Sequence, residues 1–99
     1  MPKIFQYLGY IFFFYSNEHL PIHCHVKKGE KEIKAVLNFH EGKLLVKFLK
    51  VRGKNGFEGK QLVVIETFVK NYHEQIVEKW KQFFIYGKSP NFEVIPRSK

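Results

Sequence analysis

A single cysteine in 99 residues, Cys24, excludes an internal disulfide, so packing alone must hold the chain together, as suits a reducing cytosol. No charged-then-apolar leader opens the chain. Its longest apolar run near the start, Tyr10 to Tyr15, falls far short of the roughly 20 residues that span a bilayer. Repeats and low-complexity stretches are absent. So is a glycine-rich phosphate loop between a strand and a helix, because Gly53, Gly56 and Gly59 do not follow that fingerprint. Arginine is scarce, at two against fifteen lysines, so contacts to nucleic acid would be mostly point charges on phosphate. These absences lead us to expect a soluble cytoplasmic protein with no membrane partner.

What is present argues for one folded domain over residues 1–99. The chain is 44% hydrophobic and 17% aromatic, with eleven Phe, which excludes a disordered chain. Net charge is +8 and uneven: residues 1–57 carry ten Lys or Arg against four acids, and residues 58–99 carry seven against five. Lys43, Lys47, Lys50, Arg52 and Lys54 form a stripe without an acid, the kind of run that attracts polyanions.

The first half has strand periodicity. A short strand at Ile4–Leu8 precedes the aromatic run after Gly9. Ser16–Pro21 is turn-rich. Ile22, Cys24 and Val26 then alternate with His23, His25 and Lys27, which places the histidines on a polar face and the Cys24 thiol in the core. Two more alternating strands follow around Ile33–Phe39 and Leu44–Leu49, with a turn at His40-Glu41-Gly42 and a basic loop at Arg52–Gly56. In the second half, Leu62, Ile65, Val69, Tyr72, Ile76, Trp80 and Phe83 recur at helical spacing. One helix over Gln61–Tyr86 would be about 39 Å long, against about 20 Å for a short strand, so the helix should break. Asn71 with Glu74 resembles a capping box and sets the break there. Gly87 and Pro90 stop the helical half, Phe92–Ile95 suits a last short strand, and residues 96–99 form a frayed basic tail.

The expected fold is therefore α+β: an antiparallel sheet of about four strands over residues 4–50, packed on one or two helices over residues 60–86. Its core should hold Phe12, Phe14, Cys24, Val26, Ile33, Ala35, Leu37, Val46, Phe48, Leu62, Ile65, Val69, Ile76 and Trp80. If the second sheet face is bare, Tyr7, Tyr10 or Phe13 would mark a homodimer face.

Three of the five histidines, His19, His23 and His25, fall within seven residues, beside Glu18. Imidazole is the commonest metal ligand and exchanges protons near neutrality. Residues i and i+2 of a strand point the same way, about 7 Å apart, so His23 and His25 are able to converge on one ion, with His19 as a third ligand. Three readings follow. In the first, His19, His23 and His25 hold a divalent transition metal such as zinc, with Glu18 as fourth ligand, orienter or base. In the second, the same four residues form a metal-free catalytic acid–base set on RNA or another phosphate ligand, anchored by Lys43, Lys47, Lys50, Arg52 and Lys54. In the third, the histidines brace the Ser16–Pro21 loop of a non-catalytic module that binds DNA or a partner protein.

The run Gly9 to His19, with Pro21, His23 and His25, resembles a small bacterial family known only as a domain of unknown function, numbered four-one-six-zero. Its members share an aromatic strand, an N-E/D-H-x-P-P-H-x-H stretch and a helical tail ending near a Trp. Trp80, Phe83 and Phe84 are similar to that tail, and the resemblance covers roughly residues 1–86. Ile22 stands where the family usually has a second proline, and the basic segment after residue 43 is not part of the resemblance drawn from these motifs. The resemblance implies no activity. It implies a toxin–antitoxin-like two-gene operon, and with it a cognate protein partner or a nucleic-acid role.

Overall fold

The first hairpin shows how this sequence turns. The computed structural model describes residues 2–17 and 20–97. In it, β1 (Lys3–Tyr7) pairs antiparallel with β2 (Tyr10–Phe13) across a two-residue turn. Leu8 and Gly9 have φ of 51° and 83°. A turn with two positive φ values matches the right-handed twist of the strands it joins, and glycine at its second position meets no steric cost. The same device, Glu41 at 51° and Gly42 at 79°, joins β4 (Lys31–His40) to β5 (Lys43–Lys50). Between them lies β3 (His23–Lys28).

The sheet has six strands in the order β5-β4-β3-β2-β1-β6. All neighbours are antiparallel except β6 (Glu93–Ile95), which returns after the helices to lie parallel to β1. The expected α+β class is the observed one. The sheet has six strands rather than about four because the short segments Lys3–Tyr7 and Glu93–Ile95 both join it, and the second carries it beyond residues 4–50. Lys79, buried on the second helix, fastens β6: its Nζ lies 2.8 Å from Glu93 Oε1, donates to the Asn91 carbonyl at 2.7 Å, and sits 4.9 Å from the Phe5 ring centroid.

Two helices, α1 (Lys60–Asn71) and α2 (His73–Phe84), cover one face of the sheet. The break falls where the length argument requires it, but not through a capping box. Asn71 is the last residue of α1, Tyr72 is the junction at φ −114° and ψ 18°, and neither helix has a side-chain cap hydrogen bond. The Tyr72 N–H still bonds to the Phe68 carbonyl, and the Ile76 N–H bonds to that of Tyr72, so backbone bonds run through the bend.

Phe68 is the hub beneath the helices. Its ring centroid lies 4.5 Å from Phe12, 4.4 Å from Tyr72, 5.0 Å from Tyr7 and 5.5 Å from Phe5. Ile65, Val69, Ile76 and Trp80 surround it and meet Phe12, Phe14, Cys24, Val26, Ile33, Ala35 and Leu37 from the sheet. Val46 and Phe48, expected in the core, are only half-buried against it, because β5 is an edge strand, and Leu62, in the first turn of α1, is half-buried as well. Ile4, Phe5, Tyr10, Phe57 and Phe68 join the core without having been expected there.

The second face carries the histidines as the alternation implies, but it is not a bare polar surface. Phe13, His23, His25, Glu32 and Val36 are all buried, His23 and His25 at 1% and 3% exposure. Phe13 on β2 and Val36 on β4 flank the histidines in register and cover most of their surface. Tyr10 and Phe13 are buried, and Tyr7 stacks on Phe68, so none of the three offers an aromatic dimer face.

Candidate functional site

Register brings the polar residues together. Phe13, His25, Lys34 and Leu49 stand in one row across β2, β3, β4 and β5, so they share a face. His23, Val36 and Lys47 form the next row on one side, and Ile11, Lys27 and Glu32 the row on the other. Two residues past Phe13, Tyr15 turns its ring edge-on to His25, with centroids 4.4 Å apart. His25 also stacks on Phe13 at 5.5 Å.

A short polar chain runs through this aromatic box. The Tyr15 hydroxyl donates to Glu32 Oε2 at 3.1 Å, and the same oxygen lies 3.2 Å from His25 Nδ1. That second approach lies off the N–H direction, so it is a close polar contact rather than a linear hydrogen bond. Glu32 is buried at 4% exposure. A carboxylate withdrawn from water needs such partners, because an uncompensated buried charge is costly. His23 is held differently: its Nδ1 donates to the Pro21 carbonyl at 2.6 Å. The two imidazoles are neighbours, 5.4 Å apart and inclined at 71°, but their Nδ1 atoms turn to separate partners.

A cavity of about 290 Å³ opens over this chain, lined by Tyr15, His25, Lys34, Leu49, Lys50 and Arg52. It therefore joins an imidazole to three cations. A larger hollow of about 530 Å³, among Tyr7, Thr67, Phe68, Asn71, Tyr72 and Gln75, has no charged lining.

The expected site residues divide into groups. His23 and His25 come together. Glu18 and His19 lie outside the described residues. Among the described residues, no three His, Cys, Asp or Glu side chains are grouped to hold a metal ion. Lys50 and Arg52 reach the cavity, and Lys47 stands on the same sheet face. Lys43 is at the far end of β5, roughly 23 Å of strand from Lys50 at about 3.3 Å per residue. Lys54 lies in the following loop, where its N–H bonds to the Val51 carbonyl. The other histidines stay apart: exposed His40 lies 3.9 Å from Glu41 Oε1, and His73 Nδ1 donates to the Lys70 carbonyl.

Tyr15, Glu32 and Lys34 were not foreseen as site residues. The signal was the β3–β4 hairpin: a turn at Gly29–Glu30 sets Lys27 opposite Glu32 and His25 opposite Lys34. Cys24, between the two histidines, points to the helix side, and complete burial pushes its thiol up to about 12, as a core thiol rather than a nucleophile requires.

The family model of a domain of unknown function, DUF4160, matches residues 9–81. The chain belongs to this family. The matched span carries the whole Tyr15–His25–Glu32 chain and the three cavity cations. No curated protein and no solved structure matches. No helix among the described residues is long and apolar enough to cross a membrane.

Proposed function

We propose that the second sheet face binds RNA through its phosphates and that His25 moves a proton at the bound phosphodiester. The observation that carries this reading is one cavity lined by Tyr15, His25, Lys34, Lys50 and Arg52, with buried Glu32 against the imidazole. Lysine and arginine side chains suit the non-bridging phosphate oxygens, and an imidazole backed by a carboxylate is a competent general base. In the reaction this set suits, His25 takes the proton of a ribose 2′-hydroxyl and the 2′-oxygen forms a bond to the adjacent phosphorus. The bond from phosphorus to the 5′-oxygen breaks, and that oxygen takes a proton from water. Glu32 and Tyr15 act as positioning residues.

The test pairs binding with cleavage, using a fluorescent oligouridylate. His25→Gln should keep affinity within about twofold and lose cleavage by the ~10²-fold or more typical of a removed acid–base group. A Lys34→Gln/Arg52→Gln variant should lose affinity. Absence of binding in the wild type, or cleavage unchanged in His25→Gln, refutes the respective half. Under the toxin–antitoxin-like organisation implied by the resemblance, a cognate protein would control access to this face; the phosphate reading does not depend on it.

One observation favours a second, metal-dependent reading. The Nδ1 atoms of His23 and His25 face a main-chain carbonyl and a carboxylate, the outer partners that orient metal-bound imidazoles. A divalent transition metal such as zinc would take these two residues together with His19, with Glu18 beside them. Calorimetric titration with Zn²⁺ tests this. Micromolar binding lost in His23→Ala/His25→Ala supports it, and no binding overturns it.

A further inference from the structure

β5 is the outermost strand on one side of the sheet, so half of its backbone groups have no strand partner among the described residues. The turn geometry says which half. A two-residue hairpin loop closes on a hydrogen-bonded pair, here His40 with Lys43, and such pairs recur at every second residue: Asn38–Leu45, Val36–Lys47 and Lys34–Leu49. The opposite edge of β4 agrees, since the Leu37 N–H bonds to the Ile22 carbonyl beside β3 rather than towards β5. The N–H and C=O groups of Leu44, Val46, Phe48 and Lys50 therefore point outwards, along an eight-residue edge. The other sheet edge, β6, has only three residues.

Side chains decide what such an edge accepts. Lys43, Leu45, Lys47 and Leu49 share the second face, with Leu45 and Leu49 at 58% and 39% exposure. Leu44, Val46 and Phe48 are half-buried on the helix side. From Lys43 to Phe57 there is no acid. Edge lysines commonly serve to block strand-to-strand aggregation, and they do so here against a second copy. A symmetric antiparallel pairing of two β5 strands centred on Lys47 would set that lysine opposite its own copy, and like charges directly opposite are destabilising. The same lysines favour a strand of opposite charge.

We propose that the β5 edge is a docking site for an extended acidic protein segment. It would add as a seventh strand, with Glu or Asp alternating with apolar residues, its acids on Lys43 and Lys47 and its main chain on the outward groups of Leu44, Val46, Phe48 and Lys50. This mode draws affinity from backbone hydrogen bonds and specificity from alternate side chains. It does not rest on the phosphate reading, which is centred on the cavity over His25, although Lys43 and Lys47 serve both.

The probe is a fluorescein-labelled peptide of about nine residues that alternates glutamate with valine, compared with its lysine–valine counterpart. The full chain should bind the acidic peptide and not the basic one. Binding should slow amide exchange at Leu44, Val46, Phe48 and Lys50. Val46→Pro removes one outward N–H and leaves the β4 ladder intact, because proline is tolerated where an edge N–H faces solvent. It should weaken the peptide at least about tenfold, the scale of one hydrogen bond of ~1.4 kcal/mol, while oligouridylate binding is retained. Lys43→Glu/Lys47→Glu, which leaves the backbone untouched, should reverse the peptide preference. Absence of acidic-peptide binding, binding without slowed exchange on β5, or an unchanged preference in the charge-reversed variant overturns the proposal.

Discussion

The salt dependence of RNA binding can be worked from the positions of the cations. Lys34, Lys50 and Arg52 line the cavity, Lys47 stands on the same face, and Lys43 continues the stripe along β5. Each contact to a single-stranded phosphate contributes a slope of about −0.7 in log affinity against log salt. Five contacts give a slope of about −3.5, so raising salt from about 50 to about 200 mM should weaken binding roughly a hundredfold. The three cavity cations alone would give about −2.1, and only about a twentyfold loss. Fluorescence anisotropy with a labelled oligouridylate across that range measures the slope. A Lys34→Gln/Arg52→Gln variant should flatten it by about 1.4, whereas Lys81→Gln/Lys88→Gln, on the helix side and beyond, should leave it unchanged. Equal slopes in all three proteins would refute the assignment of the phosphate path to this face, and a wild-type slope near zero would refute phosphate binding altogether.

Two further predictions concern the scaffold that aims the site. Phe68→Ala removes a buried ring touching four aromatic neighbours and should cost about 3–5 kcal/mol, lowering the melting temperature by at least ~12 °C in thermal denaturation; a fall under ~4 °C would refute its role as hub. Burial holds the Cys24 thiol at about 12 against 9.0 when free, so the folded state keeps a proton that the unfolded state releases. Stability is thus intact below about pH 9 and falls by ~1.4 kcal/mol per unit as pH rises towards 12. Urea unfolding at pH 9 and about 10.5 should show wild type losing ~2 kcal/mol more than Cys24→Ala, and equal losses would refute it.

Alternation along Ile22–Lys27, Ile33–Phe39 and Leu44–Leu49 was enough to place β3, β4 and β5 and the face of Cys24. The same rule failed for the burial of His23 and His25, because it treats a polar face as a wet one. The corrective signal was Tyr10–Tyr15, which is aromatic without alternation; Phe12 and Phe14 serve the helix side, while Phe13 serves the other. Glu32 was hidden because its relation to His25 is a matter of hairpin register, not of sequence spacing. Asn71 and Glu74 carried the pattern of a cap and mark the right place, but the break follows from Tyr72 leaving helical geometry. The parallel pairing of β6 depends on Lys79 and Glu93 meeting across the fold, a contact that no local pattern encodes.

The most direct test of the phosphate site is a titration of the protein with oligouridylate, followed by the imidazole ¹H–¹⁵N resonances. His40, in the open on the β4–β5 turn, and His73, at the start of α2, lie away from the cavity and serve as internal references. The account predicts that the His25 ring resonances move in proportion to RNA bound while those of His40 and His73 stay in place. RNA binding that leaves His25 unmoved, or moves all three alike, would contradict it.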